Sequence, residues 1–148
     1  IYFVFTVQEE VGLRGANTAS YIVQPDFAIV VETTTASDIP GVADEKRVCK
    51  LGGGPVVSYM DRGTIYDKEL YNLAGEIADE NNIPHQTKTV IAGGNDSGAI
   101  HTSVGGIRTI AVSMPCRYLH SPNCVLKISD IISTRNLVEK LSERVAQL

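Results

Sequence analysis

The stretch FTVQEEVGLRGA, residues 5–16, is where the reading of this chain turns. An apolar run from Ile1 to Val7 stops at Gln8. Two adjacent carboxylates, Glu9 and Glu10, follow, and then a glycine-containing turn leads into a small, Ala-rich segment. IYFVFTV has the composition of a central strand, apolar on both faces. The segment after the turn, Leu13–Val23, has that of a short helix. A strand that ends in acids and feeds a helix is the opening unit of an α/β fold, and the rest of the chain repeats the alternation.

Phe27–Thr35, FAIVVETTT, is a β-branched strand with an acid inside it. The turn-rich stretch 38–54 includes an edge-strand candidate at Arg47–Leu51. Pro55–Tyr59 is a further short strand. Tyr66–Asn82 is the clearest helix, with Leu70, Leu73, Ala74, Ile77 and Ala78 on one stripe and acids opposite. Gln86–Ile91 is predicted as a strand, Asp96–Thr102 as a short helix and Gly106–Ser113 as a strand. A last helix is predicted with Ser129 as its N-cap and Ile132, Val138, Leu141 and Val145 at helical spacing. Strands alternating with helices predict a mostly parallel sheet covered on both faces, in one domain.

Composition excludes several function classes. The 148 residues carry 17 acids and 13 Lys plus Arg, a net charge of −4, which gives no electrostatic case for nucleic acid or an anionic membrane surface. No apolar run reaches the ~18–20 residues of a membrane helix. The odd set of three cysteines, Cys49, Cys116 and Cys124, fits a reducing, cytoplasmic setting better than a disulfide framework. A chain that opens in a central strand is expected to be N-terminally incomplete.

In open α/β sheets functional residues gather at the carboxyl ends of strands. Four places here obey that rule: Gln8–Glu10, Glu32, the GGNDSG loop at 93–98 and PCRYLHSP at 115–122. Glu32 is the most informative, because an acid within a buried strand is costly unless it is paired or holds a metal. Two glutamates, a third acid and His120 converging on one rim form a ligand set for a hydrolytic zinc, cobalt or manganese site. Other polar residues have plainer readings. Asp38 is a turn residue before Pro40, Asp61–Arg62 a solvated loop pair and His85 a surface residue; His101, on the short helix, is ambiguous. LGGGP lacks the Lys-Ser/Thr of a phosphate-binding loop. Cys116, His120 and Cys124 are four apart, but Pro115, Pro122 and Asn123 break the helix that a shared face would need.

Five segments in order, TVQEEVGLRGA, VVETTTASDIPG, LGGGPVVSYMDRG, GGNDSGAIH and RYLHSP, closely resemble the dinuclear metallo-aminopeptidases that assemble into tetrahedral dodecamers. That group includes glutamyl and deblocking aminopeptidases, and some members are labelled endoglucanases. The resemblance implies a three-layer α/β/α sandwich of the zinc-exopeptidase type with a mixed, mostly parallel sheet. It implies that residues 1–148 are the C-terminal part of a catalytic domain, without the family's dimerisation domain. By motif, Glu9 corresponds to the general base, Glu10 to a ligand of one metal, and Glu32 and His120 to ligands of the other. Many members have Asp where Glu32 stands. The GGND loop is expected near the substrate cleft, and Asp96 receives no role.

Two further ligands, a histidine in an H-x-D context and a bridging aspartate, would lie upstream of residue 1. The implied function is removal of N-terminal amino acids from peptides, with two divalent ions, zinc, cobalt or manganese, and a homo-oligomeric (dodecameric) parent. The isolated segment is expected to be inactive. The alternatives are a glycoside hydrolase with paired carboxylates and a non-catalytic remnant.

Overall fold

The computed structural model describes all 148 residues. Its centre is a strand that water does not reach. Ile110, Ala111 and Val112 are fully buried, and their strand, β4 (Arg108–Cys116), has neighbours on both edges. On one side runs β1 (Phe27–Thr35), parallel and in register over nine pairs from Phe27–Arg108 to Thr35–Cys116. On the other side β2 (Val56–Val57) pairs antiparallel, and β3 (Gln86–Thr87) pairs parallel to β2. The sheet is therefore mixed, in the order β1-β4-β2-β3.

Helices complete a three-layer α/β/α sandwich. α2 (Lys68–Glu80) and α4 (Ile128–Val145) pack on each other and on β4. The predicted stripe on α2 is the buried one: Leu70, Ala74, Ile77 and Ala78 meet Leu137, Leu141 and Val145 of α4 in the main core. α1 (Arg14–Val23) packs on the short α3 (Ser97–Ile100), which contacts β1 and β4. Asp67 caps α2, accepting from the Leu70 N–H at 2.9 Å, and also takes a bidentate hydrogen bond from Arg108 at the start of β4. One cap thereby fixes both a helix and a strand.

Five expectations need correction. Ile1–Val7 forms no strand; it is extended and exposed, with Phe5 96% accessible. Its apolar side chains meet no sheet neighbour, and a strand cannot satisfy its backbone without one. The segment is hydrogen-bonded at its last two residues, where Thr6 Oγ1 donates to Asp96 Oδ2 at 2.6 Å and Gly15 N–H donates to Val7 O at 3.0 Å. A Cβ on Gly15 would lie 2.4 Å from that oxygen, so only glycine admits the approach. Arg47–Leu51 is not a strand, although Cys49 N–H reaches Ala36 O and Val48 O receives Thr89 N–H. The strands predicted at 55–59 and 86–91 shrink to two residues each, because turns bend the chain away from the ladder. Ser129 does not cap α4, which begins at Ile128 with no side-chain cap.

The start of α4 has another task. Asp130, 1% exposed, turns its carboxylate onto the LGGGP loop and accepts from Gly52 N–H at 2.7 Å and Gly54 N–H at 3.0 Å. Gly54 has φ +81°, and a Cβ there would sit 1.9 Å from Pro84 O. The glycine run is thus an anion-binding turn whose anion is the protein's own side chain. Replacing Asp130 with Asn should lower stability by about 1.5–3 kcal/mol, the usual worth of hydrogen bonds to a charged group. A urea unfolding midpoint within error of the unaltered chain would show that this carboxylate does not hold the turn.

Candidate functional site

Because β1 and β4 are parallel, their carboxyl ends share one rim. Glu32 lies late in β1, and the loop after β4 carries His120. The loop before α3 brings Asn95 and Asp96, and the turn before α1 brings Glu9 and Glu10. These side chains line one cavity of about 490 Å³. The four residues singled out from sequence, Glu9, Glu10, Glu32 and His120, all face it.

The turn before α1 shows how two adjacent acids are presented. Glu9 O receives the N–H groups of Gly12 (3.1 Å) and Leu13 (3.0 Å), which curl the chain tightly. Gln8 sits at φ 61°, in the left-handed region. Thr6 Oγ1 donates to Asp96 Oδ2 at 2.6 Å, tying this turn to the GGND loop. Glu9 is left half-buried and Glu10 exposed. Glu10 Oε1 lies 3.0 Å from His120 Nε2, with both side chains more than two-thirds exposed, a contact of little stabilising value by itself.

The loop holding His120 is anchored from outside the cavity. Arg117 donates to both carboxylate oxygens of Asp38, at 2.7 and 2.9 Å, and Leu51 N–H reaches Asp38 Oδ2 at 2.8 Å. Arg117 also pairs with Val125 through two backbone hydrogen bonds of 3.0 Å, closing the loop as a β-bridge. Tyr118 and His120 occupy left-handed φ, 61° and 62°. Asp38 is therefore more than a turn residue: it sets where the imidazole-bearing loop begins.

Glu32 meets a buried polar cluster that sequence reasoning missed. Asn95 Nδ2 donates to Glu32 Oε1 at 2.9 Å and lies 2.9 Å from the Tyr66 hydroxyl and 3.4 Å from Asp61 Oδ2. Asp61 is not a solvated loop residue but 2% exposed. Its Oδ1 accepts from Gly63 N–H and Thr64 N–H, both at 2.8 Å, and its Oδ2 from Tyr66. The signal was local: Asp two residues before Gly in YMDRGT is an Asx-turn pattern. His85 and His101 do not line this cavity.

Electrostatically the rim is acid-rich. Burial pushes the Glu32 carboxyl up to about 7, against the Asn95 hydrogen bond and the charge of Lys88, with Glu9 and Asp61 adding to the rise. Glu9 is raised by burial, then by the charges of Glu10 and Asp96, while His120 pulls it down. Asp96 is 8% exposed, and its Oδ1 has no hydrogen-bond partner. Mutually repelling carboxylates, an imidazole and an orphaned acid oxygen are the chemistry that divalent cations satisfy. No three such groups converge tightly enough to enclose an ion by themselves. These residues fit part of a metal centre.

The Asp38 anchor carries a pH prediction. Hydrogen bonding to Arg117, aided by the Leu51 N–H, holds the Asp38 carboxyl down to about 2, against an ordinary value near 3.8. A group depressed on folding adds stability above its unfolded value, and the gain is lost as pH falls through the folded value. Stability should therefore drop between roughly pH 4 and 2. Arg117→Gln should flatten that part of the profile in denaturant titrations. An identical acid limb in both proteins would sink the assignment.

Comparison with known proteins follows the same lines. The profile of the M42 glutamyl aminopeptidase family matches residues 1–137. A protein of Acetivibrio thermocellus is 47% identical over 145 residues, covering 98% of this chain and 42% of that protein. An aminopeptidase structure from the archaeon Desulfurococcus kamchatkensis superposes with a TM-score of 0.89 at 35% identity, over 91% of this chain and 39% of that one. The Pyrococcus horikoshii TET1 peptidase, described as assembling into a tetrahedron or a large octahedral shell, gives 0.78 at 36% identity, over 93% and 39%. The chain spans about two-fifths of the length of these relatives.

Proposed function

The chain belongs to the M42 glutamyl aminopeptidase family, and from that membership we propose that its natural protein is a metal-dependent aminopeptidase that releases N-terminal residues from peptides. The observation that carries the reading is the gathering of Glu9, Glu10, Glu32 and His120 around one cavity. Three of these would hold cations: Glu10 one ion, Glu32 and His120 a second. Zinc, cobalt and manganese all suit carboxylate and imidazole donors. Such ions supply Lewis acidity that makes water nucleophilic near neutral pH.

The chain's own part is proton handling and placement. Glu9, left without a cation, takes the proton of the attacking water on a carboxylate oxygen and delivers it to the departing amine. The tight turn leaves Glu9 half-buried and Glu10 exposed beside His120, so one acid can hold an ion while its neighbour meets water. The cavity is open and lined by Thr33 and Thr35 as well as by the acids, which suits a peptide end. A homo-oligomeric shell is the assembly we propose, by analogy with the TET1 peptidase. No helix of the chain is long and apolar enough to cross a membrane. The three free thiols support a cytoplasmic setting. With only part of a ligand set, residues 1–148 alone should bind cations weakly and turn over little. The paired carboxylates of the cavity would also serve a glycoside hydrolase, but that chemistry requires no imidazole, and His120 lines the cavity beside them.

In the natural full-length protein, Glu9→Gln should keep the metal and lose on the order of 10²–10⁴ in turnover of an aminoacyl substrate. His120→Ala should lower metal content measured by elemental analysis. Metal loss in the first variant, or full metal content in the second, would reverse these roles.

A further inference from the structure

We propose that Asn95 is the positioning residue that fixes how Glu32 is presented to the cavity. This rests on the reading of Glu32 as a metal ligand. The orientation of the Asn95 amide is settled by its own partners. Its Oδ1 accepts from Ser97 N–H at 2.8 Å, so its NH₂ group must face the other way. There it meets three acceptors: Glu32 Oε1, the Tyr66 hydroxyl oxygen and, more distantly, Asp61 Oδ2.

The Tyr66 hydroxyl has one proton, and it goes to Asp61 Oδ2 at 2.5 Å. Its oxygen is then an acceptor toward Asn95. Asp61 Oδ1 is occupied by two backbone N–H groups. A flipped amide would give up the Ser97 bond and point an oxygen at the Glu32 carboxylate. The only arrangement that pairs every group has Asn95 donating to Glu32.

Two consequences follow for Glu32. Its Oε1 is engaged, which restrains rotation of a flexible three-torsion side chain and leaves Oε2 as the oxygen free for another partner. The anchor itself is rigid, because Asn95 is 2% exposed, Tyr66 3% and Asp61 2%. The loops that carry Asp61 and Asn95 are also joined directly, by Arg62 N–H to Gly93 O at 3.0 Å. Partners that orient a ligating carboxylate in this way are typically worth a factor of 10–100 in metal affinity.

Asn95→Asp is the discriminating variant. It keeps the oxygen that accepts from Ser97 and replaces the donors to Glu32, Tyr66 and Asp61 with a second carboxylate oxygen, which repels Glu32 where the amide held it. In the full-length protein, its cobalt dissociation constant by equilibrium dialysis should rise by roughly 10–100-fold. The visible absorption of the cobalt-saturated protein should also change, a readout that a loss of stability alone would not move. Tyr66→Phe, which takes away the acceptor that steadies Asn95, should weaken cobalt binding in the same direction by a smaller factor, and it serves if the first variant does not fold. Unchanged affinity and spectrum in either folded variant would overturn the inference. Glu32→Ala separates the two levels. If it leaves cobalt binding intact, Glu32 is no ligand and the inference falls with that reading; if it abolishes binding while Asn95→Asp and Tyr66→Phe do not weaken it, only the positioning role fails.

Discussion

The parallel pairing of β1 with β4 is the constraint on which the rest depends. Nine residue pairs in one register place two strand ends side by side, and the loops leaving them share a rim. β4 can serve as the partner because Ile110, Ala111 and Val112 are buried on both faces, under α2 and α4 on one side. A slip of one residue would turn Glu32 to the opposite face of the sheet. The hydrophobic pattern that sets the register is therefore also what sets the position of a carboxylate in the cavity.

The acids of this chain fall into two populations. Asp38 faces Arg117, Asp67 faces Arg108, and Asp130 faces the N–H groups of the glycine turn. Asp61 is filled by two backbone N–H groups and a tyrosine. Each of these is a carboxylate matched by donors, and each joins segments distant in sequence or fixes a turn. Around the cavity the matching is incomplete. Glu9 is repelled by Glu10 and Asp96, and Asp96, though held by Thr6 through one oxygen, keeps the other unpartnered in a buried position. Incompletely matched acids destabilise a compact state, so their gathering at one rim, beside well-matched acids elsewhere, is a cost that the rest of the fold must offset.

Much of the fold was legible in the sequence because its signals were long or chemically narrow. β1 has the predicted bounds, and α2 buries the predicted stripe, since a nine-residue strand that is β-branched or apolar at every position but Glu32, and a helix of 13 residues, leave little choice. The two-residue strands and the unpaired Ile1–Val7 were not legible, because strand formation depends on a neighbour that the local sequence does not contain. Among site residues, Glu9, Glu10, Glu32 and His120 stood out through strand-end placement and motif order. Asn95 and Tyr66 did not, for their pairing joins segments about thirty residues apart, whereas the buried state of Asp61 had a local sign, the Asx-turn pattern of YMDRGT, that a solvated-loop reading passed over. Ser129 misled for the opposite reason: a good local cap signal lost to a tertiary demand on the neighbouring Asp130.

The left-handed residues Gln8, Tyr118 and His120 sit in the two loops that carry the cavity's exposed acid and its imidazole. Each holds a side chain in a conformation that costs a non-glycine residue about 1–2 kcal/mol. Glycine would relax the backbone at any of them, yet at His120 it would also delete the imidazole. The same conformation recurs at Leu13, Gln24, Ser37, Asn82 and Val104, in loops and at helix ends outside the buried core. On warming, the two cavity loops should be the first parts to open, well below global melting, with the sheet and the α2–α4 layer still intact. Loss of the rim's geometry would then precede loss of the fold, and the temperature at which the four cavity residues part would lie below the melting of the domain.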